Sequence, residues 1–262
     1  MIRPESVQIL SPSEYNLYHA SSAGKWANLV QRGVRLKSTR ITPSYLPTPG
    51  LKLDSSTLRS LLTLLLLRVY ESNDRLANIN GLHKHLEPWR IFAEDSQSRE
   101  LIPLLINLSS SSIDALRTAD LNSAVLWHAS CMMLGANTRY FELAAGRMGP
   151  QPAVTALEDI SAWSQTPSAR RSVLHAAHIF KLLFDRKVSD IVNPHSVVAL
   201  FHAALVLGLY IFTIPPALSC GINDNYIELL ELVDWSCVGQ VGFIETPRVS
   251  YTHLTLPTNR EV

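Results

Sequence analysis

Apolar positions along this chain recur at intervals of three and four, and strict alternation is nowhere sustained. In LRSLLTLLLLRVYESNDRL, residues Leu58, Leu61, Leu62, Leu65, Leu66 and Val69 share one helical face, while Arg59, Arg68 and Glu71 fall elsewhere. Asp54 or Ser55 can cap that helix. Asp120 precedes LNSAVLWHASCMML, and Gly135 stands where a helix would stop. TRYFELAAG is a short helix ended by Gly146. Gly149-Pro150 makes a turn, and Pro152 suits the first turn of the next helix. There Val154, Ala156, Leu157, Ile160 and Trp163 form the apolar stripe, with Glu158 and Asp159 facing away. Thr166-Pro167 repeats the cap-then-proline device, and Val173, Ala176, Ala177, Phe180, Leu183 and Phe184 line one face of the helix that follows. Asn193-Pro194 opens the last strong helix, which Pro215-Pro216 ends.

Weaker elements surround these. A short helix is expected from Gly24 to Gln31, with Trp26, Leu29 and Val30 on one side and Gly33 as its stop. Thr39 to Gly50 holds three prolines and a glycine, so it reads as an extended linker or surface loop. A further segment runs from about Gln97 to Ser109, and the serines at Ser109 to Ser112 read as a loop or cap. Residues 1–24 are irregular. The fold class predicted is all-α, an irregular bundle of antiparallel and crossing helices.

One segment pulls in another direction. Val197 to Ile214 runs 18 residues without a charge, the lower bound for a membrane span. His202 lies near its middle, and no Lys or Arg follows until Arg248. The other apolar helices offer it neighbours, so it is expected at the centre of a soluble bundle, with a membrane-associated helical protein as the alternative.

Composition narrows the function classes. The chain has 262 residues, 47% apolar and 17% charged, enough for a sizeable core. Net charge is +1, so no bulk attraction to nucleic acid or anionic membrane is expected. Residues 1–45 carry six Lys/Arg against two Asp/Glu, and residues 216–262 carry two against six. The three cysteines, Cys131, Cys220 and Cys237, form no CxxC pair, which argues against a disulfide framework and a zinc site. There is no GxSxG elbow, Gly-rich phosphate loop or HExxH, so no catalytic, cofactor-binding or metal-binding residue is assigned.

The candidate contact residues are Trp89, Trp127, His128, His175 and His178. His175 and His178 sit three apart on one helix, a spacing that serves a metal only if carboxylates converge from other helices. VLHAAHIF supplies none, so packing histidines are expected. His128 and Cys131 share the spacing of a base–thiol pair but lack a third, orienting group. An α-helical enzyme using these histidines with Glu142 or Asp185 is the remaining alternative. Trp89, between Pro88 and Arg90, suits a surface groove.

Several segments taken in order carry a resemblance: KWANLVQRGVRL, LRSLLTLLLLRVYESNDRL, HLEPWRIFAED, LNSAVLWHASCMMLGANTRYFELAAGRMGP, ARRSVLHAAHIFKLL and HSVVALFHAALVLGLYIF, spanning about Lys25 to Phe212. Together they resemble the regulatory region of fungal transcription factors, the middle homology region, and most of all its zinc-finger-bearing members. The resemblance implies an all-α domain of a nuclear regulator of RNA polymerase II transcription. Its partners would be the transcription machinery or co-regulator proteins and a small-molecule effector, with no membrane. It also implies an upstream zinc module that reads DNA. No zinc-ligand spacing occurs here, so zinc and DNA contact are expected of that missing module, and no cofactor of this chain. VSYTHLTLPTNREV, from Val249, reads as translated adapter or vector sequence. The organisation expected is therefore an irregular segment 1–24, a helical regulatory domain 25–247 truncated at both ends, and a non-native tail 248–262.

Overall fold

A computed structural model describes residues 9–10, 17, 20–34, 40–41, 55–80, 95, 98–111 and 121–213. The fold is all-α. Among the described residues there are eight helices: α1 (Ala23–Gln31), α2 (Ser55–Asn80), α3 (Leu101–Ser111), α4 (Leu121–Gly135), α5 (Thr138–Ala144), α6 (Pro150–Trp163), α7 (Pro167–Phe184) and α8 (Pro194–Thr213). A two-residue antiparallel ladder, Ile9 opposite Ile41 and Leu10 opposite Arg40, joins segments expected to be irregular.

The local signals explain most helix ends. Thr166 caps α7, its Oγ1 accepting from the Ala169 N–H at 3.1 Å, with Pro167 as the first helical residue. Gly146 takes φ +92° after α5. Its N–H donates to Leu143 O at 2.9 Å, and the Arg147 N–H donates to Glu142 O at 3.1 Å, the bond pair that closes a helix through a left-handed residue. α3 departs from expectation by running through Ser109 and Ser110 to Ser111, because its buried leucines hold a helix that serine propensity alone would release.

α4 is the axis of the bundle. Every residue from Asn122 to Gly135 is buried. α7 and α2 pack against it, α8 packs on α7 and also reaches α4, α5 and α6, and α3 touches α2 and α4. The expectation that the uncharged segment at 197–214 forms the centre is thus corrected. α4, shorter and sprinkled with Ser, Asn and His, holds that place, because its polar side chains and free carbonyls find partners on its neighbours. Trp127 Nε1–H donates to Leu105 O at 3.1 Å, and Asn73 Nδ2–H donates to Met133 O at 3.2 Å. Trp163 Nε1–H donates to Gly135 O at 2.7 Å, satisfying one carbonyl at the C-terminal end of α4.

Asn122 is the junction at the other end of α4. Its Oδ1 accepts from the Asn193 N–H and from Ser196 Oγ–H, both at 2.9 Å, while its Nδ2–H donates to Ile191 O at 2.8 Å. One amide thereby fixes the α7–α8 connection and the start of α8. Three assigned stripe positions turn outward instead: Val154, Phe180 and Phe184 are exposed. Ala153, Ala156, Ile160 and Trp163 form the buried face of α6, which keeps Ala156, Ile160 and Trp163 of the expected stripe and takes Ala153 in place of Val154. Asp159, expected to face away, accepts a hydrogen bond from Tyr140 Oη.

α7 crosses the C-terminal end of α4 at very short range. A Cβ on Gly135 would lie 2.3 Å from Ser172 Oγ and 2.9 Å from the Ser168 carbonyl oxygen. The hydroxyl can rotate away, but the carbonyl belongs to α7 itself, so the helices would have to separate. Gly135→Ala is expected to destabilise the protein by about 1–3 kcal/mol through overpacking. Urea denaturation checks this, and a midpoint at or above that of the parent chain would refute the close approach.

Candidate functional site

The antiparallel pairing of α4 with α7 brings three sequence-selected histidines together. His128 on α4 faces His175 and His178 on α7, and all three are buried. His128 Nδ1 and His175 Nδ1 lie 2.9 Å apart. One of these nitrogens must donate and the other accept, so a single proton serves both. The His128 and His178 rings stack with centroids 4.7 Å apart and planes 11° from parallel. Trp127 presents edge-on contacts to His128 at 4.8 Å and to His175 at 5.4 Å. Four of the five candidate contact residues thus form one buried aromatic cluster. Trp89 lies outside the described residues.

Burial sets the protonation of this cluster. Loss of water pushes His128 well below the ordinary imidazole range, and the neighbouring His178 and His175 push it further. His175 is lowered first by burial, then by His178 and Arg171. His178 is lowered to about 4, by burial and then by Lys181. Arg171, itself buried, is drawn down to about 9 by burial against an opposing pull from Cys131. Cys131 is raised well above the thiol range by burial, with Arg171 opposing. The cluster is therefore neutral imidazole beside a protonated thiol at physiological pH. His128 Nε2 has no hydrogen-bond partner among the described residues.

The arrangement suits packing more than ligation. Stacked His128 and His178 show each other ring faces, whereas a metal needs in-plane lone pairs that converge. Among the described residues no group of three ligating side chains is placed to hold a metal. The carboxylates weighed for an enzyme reading lie elsewhere: Asp185 is exposed at the end of α7, and Glu142 pairs with His202.

That second cluster escaped sequence reasoning. His202 Nε2 lies 3.1 Å from Glu142 Oε1, and the Arg147 guanidinium donates to Glu142 Oε2. Burial, then Glu142, raises the Tyr70 hydroxyl. The pair ties α8 to α5. The one signal was a histidine inside an uncharged run, which demands a polar partner once buried. The partner, 60 residues away, leaves no mark in the local pattern.

No protein-family profile, curated protein or solved structure matches this chain.

The histidine cluster makes stability depend on pH. The folded pKa values lie below the unfolded value of about 6.5, so the unfolded chain binds more protons as pH falls. The contribution is whole above about pH 6.5 and is lost below it. For His178 the loss levels off near its folded value of about 4. The loss from His178 alone is on the order of 3 kcal/mol by pH 4. Urea midpoints between pH 8 and 4 check this: His178→Gln should flatten the acid limb. An acid limb identical to that of the parent would show that His178 titrates normally.

Proposed function

We propose that this chain is the regulatory, non-DNA-reading part of a fungal RNA polymerase II transcription factor, acting in the nucleus through contacts with co-regulator proteins or an effector. The observation that carries the reading is the meeting of two resemblance segments. LWHA lies on α4 and ARRSVLHA on α7, and their Trp127, His128, Arg171 and His175 come together in one buried cluster. The segments that look like the family thus build the core, as residues shared by a helical scaffold would. The AGRMGP segment supports it too, since it makes the tight turn between α5 and α6. In this reading the DNA-contacting zinc module belongs to the complete gene product, and the helices here present surfaces.

The test joins the chain to an unrelated DNA-binding module that has no regulatory activity of its own and measures a reporter in yeast. Reporter output should change several-fold relative to the module alone. Trp127→Ala, which removes a buried Trp at a cost of about 3–5 kcal/mol, should abolish the change. A folded fusion that occupies the promoter and leaves output unaltered would overturn the proposal. So would an upstream reading frame encoding something unrelated to a zinc module.

A further inference from the structure

α1 keeps its shape without burying any of its residues. Trp26 is 47% exposed and Val30 42%, and Leu29 is half-buried. A Cβ on Gly24 or on Gly33 would meet nothing within 4 Å, so no other element presses on either end. The helix closes itself instead. Ser22 Oγ accepts from the Lys25 N–H at 3.2 Å. Gly33 takes φ +85°, its N–H donating to Val30 O at 3.0 Å, while the Val34 N–H donates to Leu29 O at 3.1 Å.

Its sides differ in chemistry. At about 100° per residue, Ala23, Trp26, Leu29 and Val30 fall within an arc of about 120°. Lys25 and Arg32 run along one margin of that arc, and Asn28 and Gln31 lie across from it. Residues 15–53 carry six Lys/Arg, at 25, 32, 35, 37, 40 and 52, and no Asp or Glu. The chain's net charge of +1 conceals this local excess.

Charge of that sign calls for an anionic partner, and the apolar arc says which kind. Nucleic acid offers phosphates but no apolar phase for Leu29 and Val30. An acidic groove on a protein needs a carboxylate placed against each cation. A bilayer containing anionic lipid supplies a diffuse negative surface, which attracts every basic residue of the run whatever its position. Directly beneath that surface lies an apolar phase. Trp favours this boundary, and Lys and Arg stems reach back from it to the headgroups. A basic amphipathic helix is suited to lie in its plane.

We propose that α1 docks on anionic phospholipid. Trp26, Leu29 and Val30 enter the boundary between headgroups and acyl chains, while Lys25 and Arg32 bind lipid phosphates and carboxylates. The inference departs from the membrane-free expectation that came with the family resemblance, and it does not rest on the transcriptional reading.

Co-sedimentation of the full chain with vesicles tests it. The chain should partition onto phosphatidylcholine vesicles containing phosphatidylserine at least about tenfold more strongly than onto phosphatidylcholine alone, since each engaged basic residue contributes about fivefold. Lys25→Glu together with Arg32→Glu should weaken the anionic partition by at least about tenfold. Trp26→Ala should weaken it several-fold, and so should added salt. No α1 residue is buried, so these variants should keep the parental urea midpoint, and a loss then reads the contact rather than the fold. Equal partition onto phosphatidylcholine alone would place the contact on apolar surface elsewhere and overturn the proposal. Unchanged partition of Trp26→Ala would overturn it in favour of charge alone. Retention by a DNA duplex without sedimentation on either vesicle would overturn it in favour of nucleic acid, and binding to none of the three would overturn it outright.

Discussion

Complete burial of α4 is the constraint on which the rest depends. A helix enclosed on all sides has to find partners for its polar groups within the protein, since unpaired groups in a dry interior are costly. The Asn122 and Trp127 side chains and the Gly135 carbonyl each find a different neighbour: the α7–α8 connection, α3 and α6. The Ser172 hydroxyl donates to Met132 O at 3.1 Å. These bonds fix the axial position of each surrounding helix, which apolar packing alone would leave free to slide.

The histidine cluster follows from the same enclosure. A side chain at 128 that reaches α7 meets whatever α7 presents at that level, and α7 presents imidazoles at 175 and 178. Three neutral rings and an indole pack as aromatics do, by edge and by stack. The Nδ1 contact adds direction, since it needs one proton between two nitrogens. The result is a polar seam where α4 and α7 meet.

Much of the helix pattern was legible in the sequence because its punctuation is local. Gly146 after α5, the Gly149-Pro150 break ahead of α6 and the Thr166-Pro167 pair act through their own backbone geometry, although α6 starts at Pro150 itself. What escaped was relational. Val154 and Phe184 sit at plausible stripe positions, yet the rotation of each helix is decided by neighbours that periodicity does not name. The histidines were visible as residues, but their mutual contact required the antiparallel register of α4 and α7. The pairing of Glu142 with His202 was unreadable for the same reason: the lone histidine in an uncharged run asks for a polar partner, but nothing local names a carboxylate 60 residues away. The uncharged run at 197–214 misled in a further way, since hydropathy reports how apolar a helix is and not how much of it a bundle encloses.

The contact between Gly135 and Ser172 carries an implication for related chains. Side-chain volume at these two positions is shared across a single gap, and the nearby Ser168 carbonyl can give way only if α7 moves as a whole. A homologue with alanine at the first position should therefore show a compensating change in the helix spacing, through bulkier residues elsewhere along the α4–α7 seam. Substitutions at the two sites should be correlated through descent, and a chain that accepts both without such adjustment would be expected to place α7 on a different part of α4.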